Sequence, residues 1–192
     1  MEPQNINDIA VELKIIQKET IERNKSKIGQ VVDCITECYK KQGKVLICGN
    51  GGSAGDSQHF AAELVSRFLM ERPALAAISL ATDTSIMTAI GNDYTFDNIF
   101  MRQVEALGKE GDILIGISTS GNSQNVVEAF KKAKEKNMIC ISLTGMDGGK
   151  LAPMSDYNLA VFTNKTPRVQ EMHIVLIHII CEYVEYLCNK RG

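Results

Sequence analysis

This sequence of 192 residues lacks the features that mark secreted, membrane-spanning or nucleic-acid-binding proteins. Its first residues have neither the basic start nor the apolar run of a secretory signal, and no stretch is long and apolar enough to cross a bilayer. Its formal net charge of -2 gives no electrostatic reason for binding nucleic acid or anionic lipid. We therefore expect a cytoplasmic protein without a nucleic-acid or membrane partner, in which any site for a small anion is local.

The usual signatures of cysteine chemistry are also missing, although six cysteines are present. No Cys-x-x-Cys pair suggests a zinc ribbon or a redox centre, and most of the cysteines lie inside apolar segments. We expect reduced, mostly buried thiols at Cys34, Cys38, Cys48, Cys140, Cys181 and Cys188.

Nothing in the sequence divides the chain into parts, since it has no internal repeat, low-complexity tract or Pro/Gly/Ser-rich linker. With 44% hydrophobic residues it can bury one substantial core, but it is too short for two domains of ordinary size. The sequence therefore predicts a single domain over residues 1–192.

The N-terminal part of the sequence has a helical pattern. Apolar residues repeat at helical spacing between residues 7 and 42, with a polar run from Glu22 to Ser26 in the middle. The pattern predicts one bent helix or two, and its apolar stripe can either cap a sheet or pack against another subunit. We favour the second role, in which residues 1–42 form a helical extension used in oligomerisation.

Beyond Gly43 the pattern changes to short apolar runs that alternate with helical segments. Continuous apolar runs of this kind indicate a parallel sheet covered on both faces, and the last segment, Val169 to Asn189, has the pattern of a long helix. The expected fold class is α/β, a three-layer α/β/α sandwich with a five-stranded parallel sheet. The five predicted strands are 45–48, 76–80, 113–117, 138–143 and 159–162.

In an open α/β sheet, ligands bind outside the carboxyl ends of the strands, so the turns after the first and third strands are the places to search. The first turn, Gly49 to Ser53, is rich in glycine and matches neither a Walker A loop nor the dinucleotide fingerprint, so on its own it could be a tight strand-to-helix connection. The second turn, Ser118 to Ser123, places four hydroxyls beside the free N–H groups of a helix start. Although its polar residues could be ordinary helix caps, a cap needs only one such residue, so the turn indicates a neutral cradle for a phosphate.

Four side chains on two helices are candidates for chemistry. His59 and Glu63 are four residues apart and share one helix face, where they could bind a metal or a substrate or form an ordinary surface pair. Gln170 and His178 point broadly the same way from the last helix but are separated by about 12 Å along its axis. His173 lies about 140° around that helix from His178, so we expect it to pack or to face another surface and assign it no catalytic role.

Taken together, six segments resemble one branch of a known family. They are 48–53, 59–64, 91–93, 116–123, 143–145 and 168–173. The chain resembles, from end to end, the phosphoheptose isomerase branch of the sugar isomerase (SIS) domain family. The serine-rich turn alone marks the superfamily, whereas the combination of His59, Glu63, Gln170 and His178 marks the isomerase branch.

The resemblance implies a flavodoxin-like SIS fold and conversion of D-sedoheptulose 7-phosphate to D-glycero-D-manno-heptose 7-phosphate, the entry to nucleotide-activated heptose for surface polysaccharides such as lipopolysaccharide or capsule. It implies a homotetramer with active sites built between subunits. It also implies one zinc ion per subunit at His59, Glu63, Gln170 and His178. Phosphate binding is implied for Ser118, Thr119, Ser120 and Ser123, and sugar binding for Asn50, Gly51, Gly52, Glu63, Arg67, Asn92, Asp93 and Gln170.

Aldose–ketose isomerisation agrees with these residue types, because moving a carbonyl between C1 and C2 requires groups that take up and deliver protons. Our hypothesis is that Glu63 is the base at carbon and His178 its acid/base partner. Zinc binding has a geometric difficulty, since Gln170 and His178 cannot easily meet one ion from a single ideal helix. Some relatives carry an acidic residue next to the arginine that corresponds to Arg168. The stretch from Asn164 to Pro167 has none, so the resemblance does not imply an acidic contact to the sugar from this stretch.

Two other functions remain open from the sequence. A non-enzymatic SIS protein that binds a replication initiator has similar turns, but it lacks counterparts of Glu63 and His178. An isomerase or sensor for another sugar phosphate would share the phosphate cradle, because carbon-chain length is determined by loops and neighbouring subunits that the sequence does not position.

Overall fold

The computed structural model describes residues 4–190, which form one parallel sheet with helices on both faces. The strands are β1 (Val45–Gly49), β2 (Ala77–Ser79), β3 (Ile113–Ser118), β4 (Ile139–Gly145) and β5 (Tyr157–Val161). The helices are α1 (Ile6–Lys40), α2 (Gly52–Val65), α3 (Thr84–Asp93), α4 (Met101–Leu107), α5 (Gln124–Glu135) and α6 (Thr166–Asn189), with short 3₁₀ helices at Phe96–Asn98 and Ala152–Met154.

The sheet confirms the predicted fold class. Its strand order is β2-β1-β3-β4-β5, and all neighbouring strands are parallel. Side chains alternate between two hydrophobic cores: Val45 and Ile47 of β1 face a core shared with α1, α2 and α6, whereas Leu46 and Cys48 face a core shared with α4 and α5. Burial on both faces explains why the central strands appear in the sequence as unbroken apolar runs.

Most of the predicted element ends differ from the structure by one to three residues. The second strand is Ala77–Ser79 rather than 76–80, because it lies at the edge of the sheet, where Ile78 is 38% exposed. The fourth and fifth strands are displaced by up to two residues from their predicted ends. Helix α6 begins at Thr166 instead of Val169, since Pro167 fits the first turn of a helix, where its missing N–H is not needed.

The N-terminal pattern forms one continuous helix of 35 residues, α1. Its second half covers the sheet through Ile28, Val32 and Ile35, while Asn24, from the predicted polar break, is buried and donates to the carbonyl of Ala160 in β5. Its first half leaves Ile6, 82% exposed, and other apolar side chains uncovered. The helix therefore caps the sheet over one half of its length, and its use in oligomerisation stays a prediction.

None of the six cysteines forms a disulfide within the described residues; four of them are buried, while Cys34 and Cys188 are half-buried. Burial raises the pKa of Cys34 and of Cys38 to about 11, so both thiols are protonated near neutral pH. Within residues 4–190, no helix combines the length and the apolar character that crossing a bilayer requires.

Candidate active site

The two turns singled out in the sequence lie side by side, because β1 and β3 are neighbours in the sheet. The amides of Asn50, in the first turn, and Asn125, in the first turn of α5, donate to each other's oxygens at 2.9 and 2.8 Å. Asn125 is buried and is a site residue that the sequence did not reveal. This amide pair fixes the distance between the glycine-rich turn and the start of α5.

The second turn places several hydroxyls directly before the N-terminus of α5. The hydroxyls of Ser118 and Ser123 are 2.8 Å apart, and Ser123 precedes the helix without capping it through its side chain. The chain turns at Gly121, whose φ of +65° suits glycine and whose missing side chain lets the Gly148 carbonyl approach. Hydroxyls and the N–H groups of the first turn of a helix are suitable ligands for a phosphate group.

Three of the four predicted metal ligands meet where α2 packs against α6. The Nε2 atom of His59 lies 2.9 Å from Oε1 of Glu63 and 3.4 Å from Nε2 of His178. One ligand atom from each of the three residues falls within 4.8 Å of the others. Two imidazoles and a carboxylate so arranged are a suitable donor set for zinc, and Glu63 and His178 are also close enough to act on one substrate.

Gln170 occupies a different part of the site. Its amide fills the space beside Gly52, where a Cβ atom would come within 2.4 Å of Nε2. Gly52 begins α2 and lies about two helical turns before His59. The structure therefore places Gln170 against the first turn, and its service as a fourth metal ligand stays a prediction.

Three predicted sugar-binding residues form their polar contacts elsewhere. The Arg67 side chain is 61% exposed and faces Glu71, and Asn92 donates to its neighbour Asp93. Among the described residues, none of the three predicted side chains forms a hydrogen bond to either turn or to the His59, Glu63 and His178 cluster. Helix α3, which ends with Asn92 and Asp93, has no buried residue.

His173 packs inside the protein, in agreement with the sequence expectation. It is fully buried, and its Nε2 lies 3.2 Å from the carbonyl oxygen of Thr144 at the end of β4. Burial lowers the pKa of His173 to about 4, although the bond to Thr144 opposes this shift. The imidazole is therefore neutral at pH 7 and joins α6 to the strand beside Ser118.

The lowered pKa of His173 predicts a stability loss in acid. Since the unfolded chain takes up a proton near pH 6.5 and the folded chain only near pH 4, the free energy of unfolding falls as the pH drops through that window. We expect His173 to account for about 2 kcal/mol of loss between pH 7 and pH 5. Urea unfolding of wild type and His173→Gln measures it, because glutamine does not titrate; equal pH slopes in the two proteins would contradict the prediction.

The stretch before Arg168 contains no acidic residue that contacts the site. Lys165 forms an ion pair with Glu12 of α1, and Arg168 donates to both carboxylate oxygens of Glu171. These contacts hold the start of α6 against α1 and within its own first turns. The residues around Arg168 therefore support the start of α6, the helix that carries Gln170 and His178.

Comparisons with known proteins match the chain along most of its length. The family model described as the SIS domain matches residues 10–145, a range that contains both turns, His59 and Glu63. A relative named phosphoheptose isomerase from Campylobacter jejuni is 57% identical over 172 residues, covering 90% of this chain and 91% of its own.

Two solved structures have the same fold. A phosphoheptose isomerase from Neisseria gonorrhoeae is 47% identical with a TM-score of 0.89, and the match covers 94% of this chain and 97% of that one. A phosphoheptose isomerase from Francisella tularensis is 39% identical with a TM-score of 0.91, covering 94% of this chain and 96% of that one. Both matches therefore extend over almost the whole of this chain, including the region of α6.

Proposed function

This chain belongs to the SIS domain family, and we propose that it is a phosphoheptose isomerase that converts D-sedoheptulose 7-phosphate to D-glycero-D-manno-heptose 7-phosphate. The observation that carries this proposal is the meeting of Glu63 with His178 in a chain that also has two neighbouring anion-suited turns. A docking protein has no need for that pair of proton-handling groups. The reaction is the first step toward nucleotide-activated heptose, and the charged substrate favours a cytoplasmic location.

The serine-rich turn holds the substrate phosphate in this proposal. Ser118, Thr119, Ser120 and Ser123 supply hydroxyl donors, and the dipole of α5 favours the negative charge. Asn50, Gly51 and Gly52 of the first turn, together with Gln170, contact the sugar next to it. Because the amide pair of Asn50 and Asn125 sets the spacing of the two turns, it also sets the distance from phosphate to sugar.

Proton transfer is assigned to Glu63 and His178. The Glu63 carboxylate takes the proton from C1 of the ketose and returns a proton to C2, so that the carbonyl moves from C2 to C1 through an enediol. His178 moves the hydroxyl proton between the two oxygens. His59 holds the Glu63 carboxylate through its 2.9 Å contact and orients it toward the carbon.

A zinc ion suits the same cluster, because two imidazole nitrogens and a carboxylate oxygen lie within 4.8 Å of one another. We propose that His59, Glu63 and His178 hold it, with Gln170 as the fourth ligand. When bound, zinc would supply a positive charge that stabilises negative charge on the substrate oxygens.

We propose that the enzyme is a homotetramer with active sites between subunits. Arg67, Asn92 and Asp93 are exposed and form no hydrogen bond to the cluster of their own chain, which favours contact with a substrate held by a neighbour. The uncovered apolar side chains on the first half of α1 and on α3 support burial by other subunits.

Substrate length is tested with a panel of phosphorylated ketoses of five, six and seven carbons, each incubated with purified enzyme and zinc. We expect the highest kcat/KM for sedoheptulose 7-phosphate, the substrate of the proposed reaction. Inorganic phosphate, which binds the turn alone, serves as a competitive inhibitor common to all substrates. A clear preference for a shorter ketose would overturn the heptose assignment but keep the isomerase assignment.

A further inference from the structure

A buried ion pair lies behind the proposed active site, in a part of the chain that no step of the proposed reaction uses. Arg72, in the loop between α2 and β2, and Glu185, near the end of α6, are both almost fully buried, with Nε and Oε1 3.1 Å apart. A buried pair is expensive to form unless hydrogen bonds satisfy its remaining donors and acceptors. The hydrogen-bond partners of Arg72 and Glu185 therefore show which parts of the backbone the pair holds in place.

Glu185 holds the loop that follows α2. Its carboxylate accepts from the backbone N–H groups of Phe68, Leu69 and Met70 at 2.9, 2.7 and 2.9 Å. Burial acts to raise the pKa of Glu185, but these three bonds and Arg72 outweigh it, so that the pKa lies below its usual range. The charged carboxylate thus fixes the backbone of three consecutive loop residues.

Arg72 holds the end of the helix that carries the proposed base. Its Nη2 donates to the carbonyl oxygen of Glu63 at 2.8 Å, and its Nη1 to those of Leu64 at 2.9 Å and Ser66 at 3.3 Å. A guanidinium at this position satisfies carbonyls that the last turn of a helix leaves without partners. The backbone of Glu63 is therefore fixed by the same ion pair that fixes the loop.

The loop returns to the active site through Phe68. The Phe68 ring lies 5.5 Å from the imidazole of His178, centroid to centroid, and the planes are tilted by 34°. His59 packs against the same imidazole edge to face at 5.1 Å. His178 is thus held between one residue of the metal-suited cluster and one residue whose backbone is fixed by Glu185.

We infer that Arg72 and Glu185 are positioning residues for the isomerase reaction, acting on Glu63 through its backbone and on His178 through the Phe68 ring. This inference rests on the proposed function, because it concerns the two residues assigned to proton transfer. Neither Arg72 nor Glu185 touches the substrate. Their effect is geometric: a displacement of about 1 Å between catalytic groups can lower a rate by about 10²-fold.

Two single variants test the inference. Phe68→Leu removes the ring and leaves the ion pair intact, whereas Glu185→Gln removes the charge that binds the loop. We expect each to lower kcat for sedoheptulose 7-phosphate by about tenfold or more while KM changes by about twofold or less, since the phosphate turn is untouched. Phe68→Tyr, which keeps a ring, should restore the rate, and it also tests the role of Phe68 if Glu185→Gln folds poorly.

The double variant F68L/E185Q shows whether Glu185 acts through Phe68. If both act on His178 by one route, the two losses in kcat do not multiply. Phe162→Leu is the matched control, because Phe162 packs under Arg23 at the far edge of the sheet. Thermal unfolding and the oligomeric state are measured for every variant, so that a loss of fold is recognised.

The NMR resonance of the His178 imidazole tests this inference without turnover, and therefore independently of the proposed function. The chain has three histidines, so the His178 imidazole resonance is identified by its loss in His178→Ala. We expect this resonance to move in both F68L and E185Q and to stay in place in F162L. An unmoved resonance, or a kcat of F68L equal to that of the wild type, would overturn the inference. Resonance shifts in both variants, combined with no turnover by the wild type, would overturn only the proposed function.

Discussion

Replacement of Glu63 by glutamine should lower kcat for sedoheptulose 7-phosphate by about 10²- to 10⁴-fold, the range that a general base contributes. Glutamine has the shape of glutamate and can still contact His59, but it cannot take a proton from carbon. The fold should be unaffected, because Glu63 is partly exposed and its backbone is held by Arg72. Steady-state kinetics and thermal unfolding measure the two effects.

The control for Glu63→Gln is the same change at Glu105, an exposed residue that pairs with Arg102 away from the site. We expect that variant to keep activity within about twofold of the wild type. Zinc content is measured in parallel, since Glu63 is also a proposed ligand. Near-normal turnover by Glu63→Gln, with its oligomeric state and phosphate binding retained, would show that Glu63 is not the base.

Replacement of Ser123 by aspartate should lower kcat/KM by about 10²- to 10³-fold, because it places a negative charge where the substrate phosphate is proposed to bind. Aspartate is a favourable residue before a helix, so α5 should keep its start and the protein its stability. The loss should appear mainly in KM and in the inhibition constant of inorganic phosphate.

Ser123→Asn separates charge from size in that experiment. Asparagine has the same shape as aspartate and is an equally good helix cap, but it has no charge. We expect it to lose much less activity than Ser123→Asp. Equal losses in the two variants would mean that the turn does not bind the phosphate and that the substrate anion is held elsewhere.

The sequence was sufficient to predict the sheet, and it also pointed to the two turns and the helix face that we propose as parts of the site. Buried central strands leave unbroken apolar runs, as in 113–117, and the turns that follow the strands at the switch point of such a sheet are identifiable from the order of runs and turns along the chain. The spacing of His59 and Glu63 likewise placed both on one helix face. Sequence patterns were therefore sufficient for those parts of the proposed site that lie within one helix or one turn.

Contacts between distant segments could not be predicted from periodicity or spacing, and the meeting of His59, Glu63 and His178 was implied only by the family resemblance. That His178 meets His59 follows from the side-by-side packing of α2 and α6, which no periodicity in either helix determines. Arg72 and Glu185 look like ordinary surface charges until the fold buries them together, 113 residues apart. The short edge strand β2 was predicted too long because the pattern does not show which strand lacks a neighbour.

The most direct test of the account follows sedoheptulose 7-phosphate by NMR during incubation with the wild-type protein, with His178→Ala in parallel. We expect resonances of D-glycero-D-manno-heptose 7-phosphate to grow with the wild type and to be absent or strongly delayed with the variant. Failure of the wild type to form the aldose, with and without added zinc, would contradict the isomerase assignment and leave a binding function for the same fold.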